Sequence, residues 1–210
     1  MAENRPRPRI LTLSDLIFGL ALSISALSLV GQQATTTPQF ITALGLYALS
    51  FYILLNVWRS YSETTSTMPE ETALTTRLHY LLLFLVSIEP YLFDELFTGT
   101  GSFPSTVSQV YALDVGFMFI ILGVFNHALS KERVSQSPKE FSLKHRRLRN
   151  RGLLVGLIFV VSALPLLDSV VLFSFVIKGV TSDFTLRTAL WLVGPMIGLG
   201  AQLMTNVRKD

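Results

Sequence analysis

Five ionisable side chains stand inside or at the edge of otherwise apolar stretches: Asp15, Glu89, Asp114, His127 and Asp168. A charge in hydrocarbon is expensive, so each of them is expected to be paired, hydrogen-bonded or placed on a path for ions or protons. Glu89, Asp94 and Glu95 fall towards one end of an apolar stretch, where acidic groups concentrate cations. The plainer roles are interfacial solvation for Asp94 and Glu95, a structural hydrogen bond for Asp114 and a snorkelling position for His127. Other chemistries find no carrier. The chain has no cysteine, which removes disulfides, thiol catalysis and zinc–thiolate sites. His79, His127 and His145 lack metal-ligand spacing, and no G-x-S-x-G or phosphate loop occurs. Lys178 lies near the end of a stretch, where a retinal-type Schiff base would not sit. No enzyme activity, cofactor or resident metal is expected.

The elements that carry these residues are dictated by composition. Half of the 210 residues are hydrophobic, 15% are charged and the mean hydropathy is +0.51, too apolar for a chain coated by water. Apolar stretches at about 10–31, 39–61, 73–97, 105–129, 152–176 and 184–207 match the roughly 20 residues a membrane-crossing helix needs. The expectation is an all-α integral membrane domain of six helices spanning 1–210. Ala34-Thr35-Thr36-Thr37-Pro38, Thr98-Gly99-Thr100-Gly101 with Pro104, and Thr181-Ser182-Asp183 read as turns between them. The fifth stretch is the irregular one, since Pro165 and Asp168 interrupt it and call for a kink or an early stop. The first begins after Arg5, Arg7 and Arg9 like a signal peptide, but it runs to about Val30 without a clear cleavage site and reads as a retained helix.

Six spans put both termini on one side, and charge says which. Of 17 basic residues, all but Lys178 and Arg187 lie before the first span, beside the connection of the second and third, between the fourth and fifth, or after the sixth. The positive-inside rule places those segments, and both termini, in the cytoplasm. The basic segment from Lys131 to Arg151 lacks interleaved aromatics, which argues against nucleic acid. It serves as a topology determinant, with anionic lipid headgroups as its partner.

The first span has two faces. With Leu20 as reference, a period of 3.6 residues brings Leu13, Leu16, Ile24, Leu27 and Gly31 within about 40° of it. Ser14, Asp15 and Ser25 fall on the far side, and Ser23 near the edge of the aliphatic stripe. The polar side suits ties to neighbouring helices. The stripe suits lipid, a core or some other apolar partner.

Arg9, Leu13, Ser14 and Asp15 resemble the signature R-x-x-x-F-S-D of the TMEM175 potassium-channel family, with Leu13 in place of the usual Phe. Ser50-Phe51 and Trp58 resemble the family's S-F…W spacing in the second helix, with Tyr61 where a His is usual. Pro90 matches a family Pro, and His79 stands where Asn is common. The specific motifs are confined to the first three spans.

This resemblance implies a homotetramer of six-helix subunits whose first helices surround a central pore without a carbonyl filter loop; no TVGYG-type loop occurs here. Carried over by position from Asp15, Leu20 is the constriction, Ser23 a polar layer one turn outward, and Ile24 and Leu27 line the pore beyond. Permeant potassium would pass Leu20 and Ser23. By the same carry-over, Arg9, Leu13, Ser14, Asp15 and Trp58 belong to the interhelical motif network that holds the pore helix. The implied function is a potassium-selective or potassium-preferring leak channel in a prokaryotic plasma membrane. Two alternatives come from other classes: a small secondary transporter using Asp15, Glu89 or Asp114 as an ion or proton relay, and a non-conducting membrane scaffold.

Overall fold

The computed structural model describes residues 9–31, 37–66, 72–98, 105–132, 139–177, 180–193 and 196. Four long helices come first: α1 (Arg9–Gly31), α2 (Thr37–Thr65), α3 (Ala73–Thr98) and α4 (Ser105–Glu132). They have 23, 29, 26 and 28 residues, each enough at about 1.5 Å per residue to cross a hydrocarbon layer about 30 Å thick. Two stretches among the described residues, Ile10–Leu27 and Thr106–Leu129, are also continuously apolar enough to do so by composition. The start of α3 is locally encoded. Thr72 accepts from the Thr75 amide at 3.3 Å while its own amide donates to the Thr75 hydroxyl at 2.8 Å, a reciprocal cap that satisfies two otherwise orphaned donors. Pro90 lies inside α3, which remains helical through it.

The second half departs from the expected pattern. α5 (Lys139–Ser162) starts within the basic segment read as a loop and stops well short of residue 176. The stop has a local cause. The amides of Ala163 and Leu164 turn back to the Val160 and Val161 carbonyls at 3.1 Å, tightening the last turn, and Pro165 opens a short 3₁₀ turn, Pro165–Leu167. The apolar run that follows is not helix. Val171–Ile177 forms β1, paired antiparallel with β2 (Val180–Thr185), with Phe173 opposite Phe184 and an irregularity between Val171 and Phe173. β-branched and aromatic residues dominate β1, and they fit a pleated surface better than a helix. The fold is therefore predominantly helical with one hairpin, which corrects both the all-α expectation and the fifth span at 152–176. The expected sixth span, 184–207, begins as strand and turns helical at residue 186; beyond 193 it lies outside the described residues, apart from 196.

Two buried clusters hold the helices. The first joins Phe18 and Ala21 of α1, Leu54, Val57 and Tyr61 of α2, Leu82 and Val86 of α3, and Met118 and Leu122 of α4. The second joins Ile53, Phe93, Tyr111, Val115, Val155, Phe159 and Trp191 and so reaches α5 and the helix after the hairpin. Between lipid-immersed helices it is close packing and hydrogen bonding that hold such contacts, because apolar side chains gain little by leaving hydrocarbon. The α4–α5 seam shows this directly. Gly116 and Gly123 face Gly152 and Gly156, and a Cβ added at Gly156 would lie 2.8 Å from the Gly116 carbonyl oxygen and 2.7 Å from Ile120 Cγ1. Gly152-Leu153-Leu154-Val155-Gly156 is a small-xxx-small pattern that lets two backbones approach.

Candidate functional site

α1 presents its aliphatic stripe outward from the subunit. Leu13, Leu16, Leu20, Ile24 and Leu27 are all exposed, Leu20 to 57% and Leu27 to 65%. Ser14, Phe18, Ala21 and Ser25 form the opposite, buried side. Ser23 is exposed beside the stripe and donates to the Gly19 carbonyl at 2.8 Å, which leaves its oxygen able to accept. Leu13 stands with the stripe and takes no part in the polar contacts.

Those contacts run from α1 to α2. The Ser14 hydroxyl donates to the Ile10 carbonyl at 2.7 Å and accepts from the Tyr61 phenol at 2.7 Å. One residue on, Asp15 Oδ1 accepts from the Trp58 indole N–H at 3.2 Å. Trp58 and Tyr61, three apart, share the face of α2 that meets α1. Asp15, on the far side from the stripe by the 3.6-residue period, is hydrogen-bonded but exposed, unlike Ser14. Consecutive residues are about 100° apart. The buried side centres near Ser14, Ala21 and Ser25, so Asp15 falls on its flank, within reach of Trp58. Arg9 is the first residue of α1, and its side chain lies outside the described set.

Tyr61, noted in the sequence only as a departure from the family pattern, is the buried hub. Its ring lies 5.8 Å from Phe18 and 5.4 Å, edge-on, from His79, which in turn is 4.7 Å from Phe125. The four rings link α1, α2, α3 and α4 one to the next. Neither His79 nitrogen has a hydrogen-bond partner, so the imidazole packs as an aromatic ring. The i, i+3 spacing of Trp58 and Tyr61 was the legible signal for this hub.

Two further polar groups tie the other helices. Asn126 of α4 donates to Thr64 of α2 at 3.0 Å and to the Leu122 carbonyl at 2.9 Å, and its oxygen meets His145 Nδ1 of α5 at 2.8 Å. At the other end Arg187 is buried. It pairs with Asp168 at 3.2 Å, bonds Ser108 of α4, and caps the Ser162 carbonyl at 3.0 Å and the Leu164 carbonyl at 3.3 Å where α5 ends. Trp191 donates to the Ser162 hydroxyl at 3.0 Å. His127 is half-buried with Arg149 Nη1 at 3.3 Å. Glu89 and Asp114 are buried between helices rather than at a mouth.

No curated protein and no solved structure matches the chain. Residues 9–90 match a family model described as "Endosomal/lysosomal potassium channel TMEM175". That segment covers α1, α2 and most of α3, including the Ser14–Tyr61 and Asp15–Trp58 contacts and the outward stripe. Over its first three helices, though not over most of its length, the chain is similar to the TMEM175 potassium-channel family.

Proposed function

We propose that the protein is a potassium-selective or potassium-preferring leak channel, assembled as a homotetramer whose four α1 helices surround a central pore. The observation that carries this reading is the two-faced α1. Ser14 and Tyr61 anchor one side inside the subunit, while an unbroken aliphatic row from Leu13 to Leu27 is left outward. Four such rows meeting on an axis make a narrow apolar passage. Leu20 forms the constriction, with Ile24 and Leu27 beyond it, and the gate works by dewetting, since a ring of leucines does not hold the water an ion needs. The exposed Ser23 oxygens, still able to accept while their hydrogens bond Gly19, replace part of the hydration shell of a passing potassium ion. Arg9, Asp15 and Trp58 hold the helix at its cytoplasmic end.

By the charge distribution, both termini lie on the cytoplasmic side of the plasma membrane of a prokaryote, with the basic segment 131–151 against anionic headgroups. Two measurements test the proposal together. In mild detergent the subunit count is four, and in liposomes the purified protein passes potassium passively down its gradient. A solitary subunit, or flux strictly dependent on a proton gradient, overturns it. The second outcome selects the transporter reading, for which the buried Glu89 and Asp114 are the supporting observation.

A further inference from the structure

Glu89 lies on α3 immediately before Pro90 and is 0% exposed. One of its oxygens, Oε1, receives two hydrogen bonds, from the Ser50 hydroxyl of α2 at 2.8 Å and from the Tyr111 phenol of α4 at 3.3 Å. The other, Oε2, is buried with no partner. Asp114 stands three residues after Tyr111, on the same side of α4, and its Oδ2 is likewise buried with no partner. Glu89 thus bonds Tyr111, Asp114 follows Tyr111 by about one helical turn, and each carboxyl keeps an orphaned oxygen.

The surroundings supply no counter-charge. Tyr111 is flanked by Phe93 at 6.0 Å and Trp191 at 5.1 Å, and α5 contributes Val155 and Phe159 to the same cluster. Towards the start of α4, Arg187 bonds Ser108, and it also binds Asp168 and two backbone carbonyls. Beyond Pro90 the α3 ionisable groups are Asp94 and Glu95, themselves acids. On α1, Asp15 faces Trp58. Among the described residues no basic side chain pairs with Glu89 or Asp114.

We propose that Glu89 and Asp114, with Tyr111 and Ser50, form a proton-binding site inside each subunit, separate from the α1 stripe. Two neighbouring carboxylates removed from water and cations do not both stay ionised, so the pair retains at least one proton at neutral pH. A proton on Glu89 Oε2 turns that orphaned acceptor into a donor while Oε1 keeps the bonds from Ser50 and Tyr111. The hydroxyls aim hydrogens, not lone pairs, at Glu89, and no group of three or more His, Cys, Asp or Glu is poised around a metal among the described residues. These features favour a proton over a metal ion. Losing it leaves adjacent anions across the α3–α4 seam and loosens it. The site does not depend on the tetramer or on conduction.

Infrared spectroscopy of the full-length protein in lipid tests this. A protonated carboxyl absorbs above the amide I band, and the wild type is expected to show that carbonyl band at neutral pH and to lose it as pH is raised. Glu89→Gln and Asp114→Asn, which keep shape without the titration, should each remove or shift it. Absence of the band from the wild type at neutral pH overturns the proposal without recourse to any variant. A band that neither variant alters assigns the proton elsewhere and overturns it too. A band that appears only after potassium and sodium are removed makes the pair a cation site, against the proposal.

Discussion

The Tyr61 phenol of α2 donates a 2.7 Å hydrogen bond to the Ser14 hydroxyl of α1, and both groups are buried. Ser14 passes its own hydrogen to the Ile10 carbonyl, so the pair forms a two-step chain that ends on the α1 backbone. It couples the family motif of one helix to the position three residues after Trp58 on the next.

If that bond fixes α1 against α2, Tyr61→Phe and Ser14→Ala should each destabilise the folded protein by about 1 kcal/mol. The double variant should cost less than the sum, with a coupling of about 0.5 kcal/mol or more, because both changes remove the same contact. Reversible unfolding in detergent measures this. Strict additivity would mean that the two hydroxyls act independently.

Leu20 is the residue on which conduction by the proposed route depends. Leu20→Ser wets the narrowest ring and should raise potassium flux into liposomes several-fold, with the subunit count unchanged. The same change at Leu74, an exposed residue at the start of α3, should leave flux as it was. Equal fluxes for the parent and Leu20→Ser remove Leu20 as the constriction.

The α4–α5 seam has no room for side chains at its glycines. Gly156→Ala places a methyl 2.8 Å from the Gly116 carbonyl oxygen and should cost about 1–3 kcal/mol. Gly45→Ala on α2, where nothing lies within 4 Å, should be neutral or stabilising by up to about 1 kcal/mol through helix propensity. Unfolding midpoints of the two variants read the contrast directly.

Arg187 ties three separate segments together: the first turn of α4 through Ser108, the last turn of α5 through the Ser162 and Leu164 carbonyls, and the connection through Asp168. Arg187→Met leaves those acceptors and a half-buried carboxylate uncompensated and should cost about 3–5 kcal/mol. Asp168→Asn, which keeps a hydrogen-bonding group beside the guanidinium, should cost less. Thermal unfolding in detergent ranks the two, and a milder loss for Arg187→Met than for Asp168→Asn would contradict the clasp.

What the sequence determined by itself is what repeats locally. The 3.6-residue period separated the Leu13–Leu27 stripe from Ser14 and Ser25, the motif around Asp15 pointed to the family that matches residues 9–90, and apolar length located α1 to α4 to within a few residues. Local pattern was weaker where two structures fit one composition: a run such as Val171–Ile177 is apolar enough for a span, and only pairing with Val180–Thr185 made it a strand. Tertiary structure alone decided the rest. Ser14 meets Tyr61 across 47 residues, Glu89 meets Ser50 across 39 and Arg187 meets Ser108 across 79. Such partners are chosen by which helix faces approach and how closely, and the α4–α5 glycines set that approach through volume. A charged or polar residue in an apolar stretch announces that it needs a partner; only the packed helices say which one it gets, or that Glu89 and Asp114 are left to share their need.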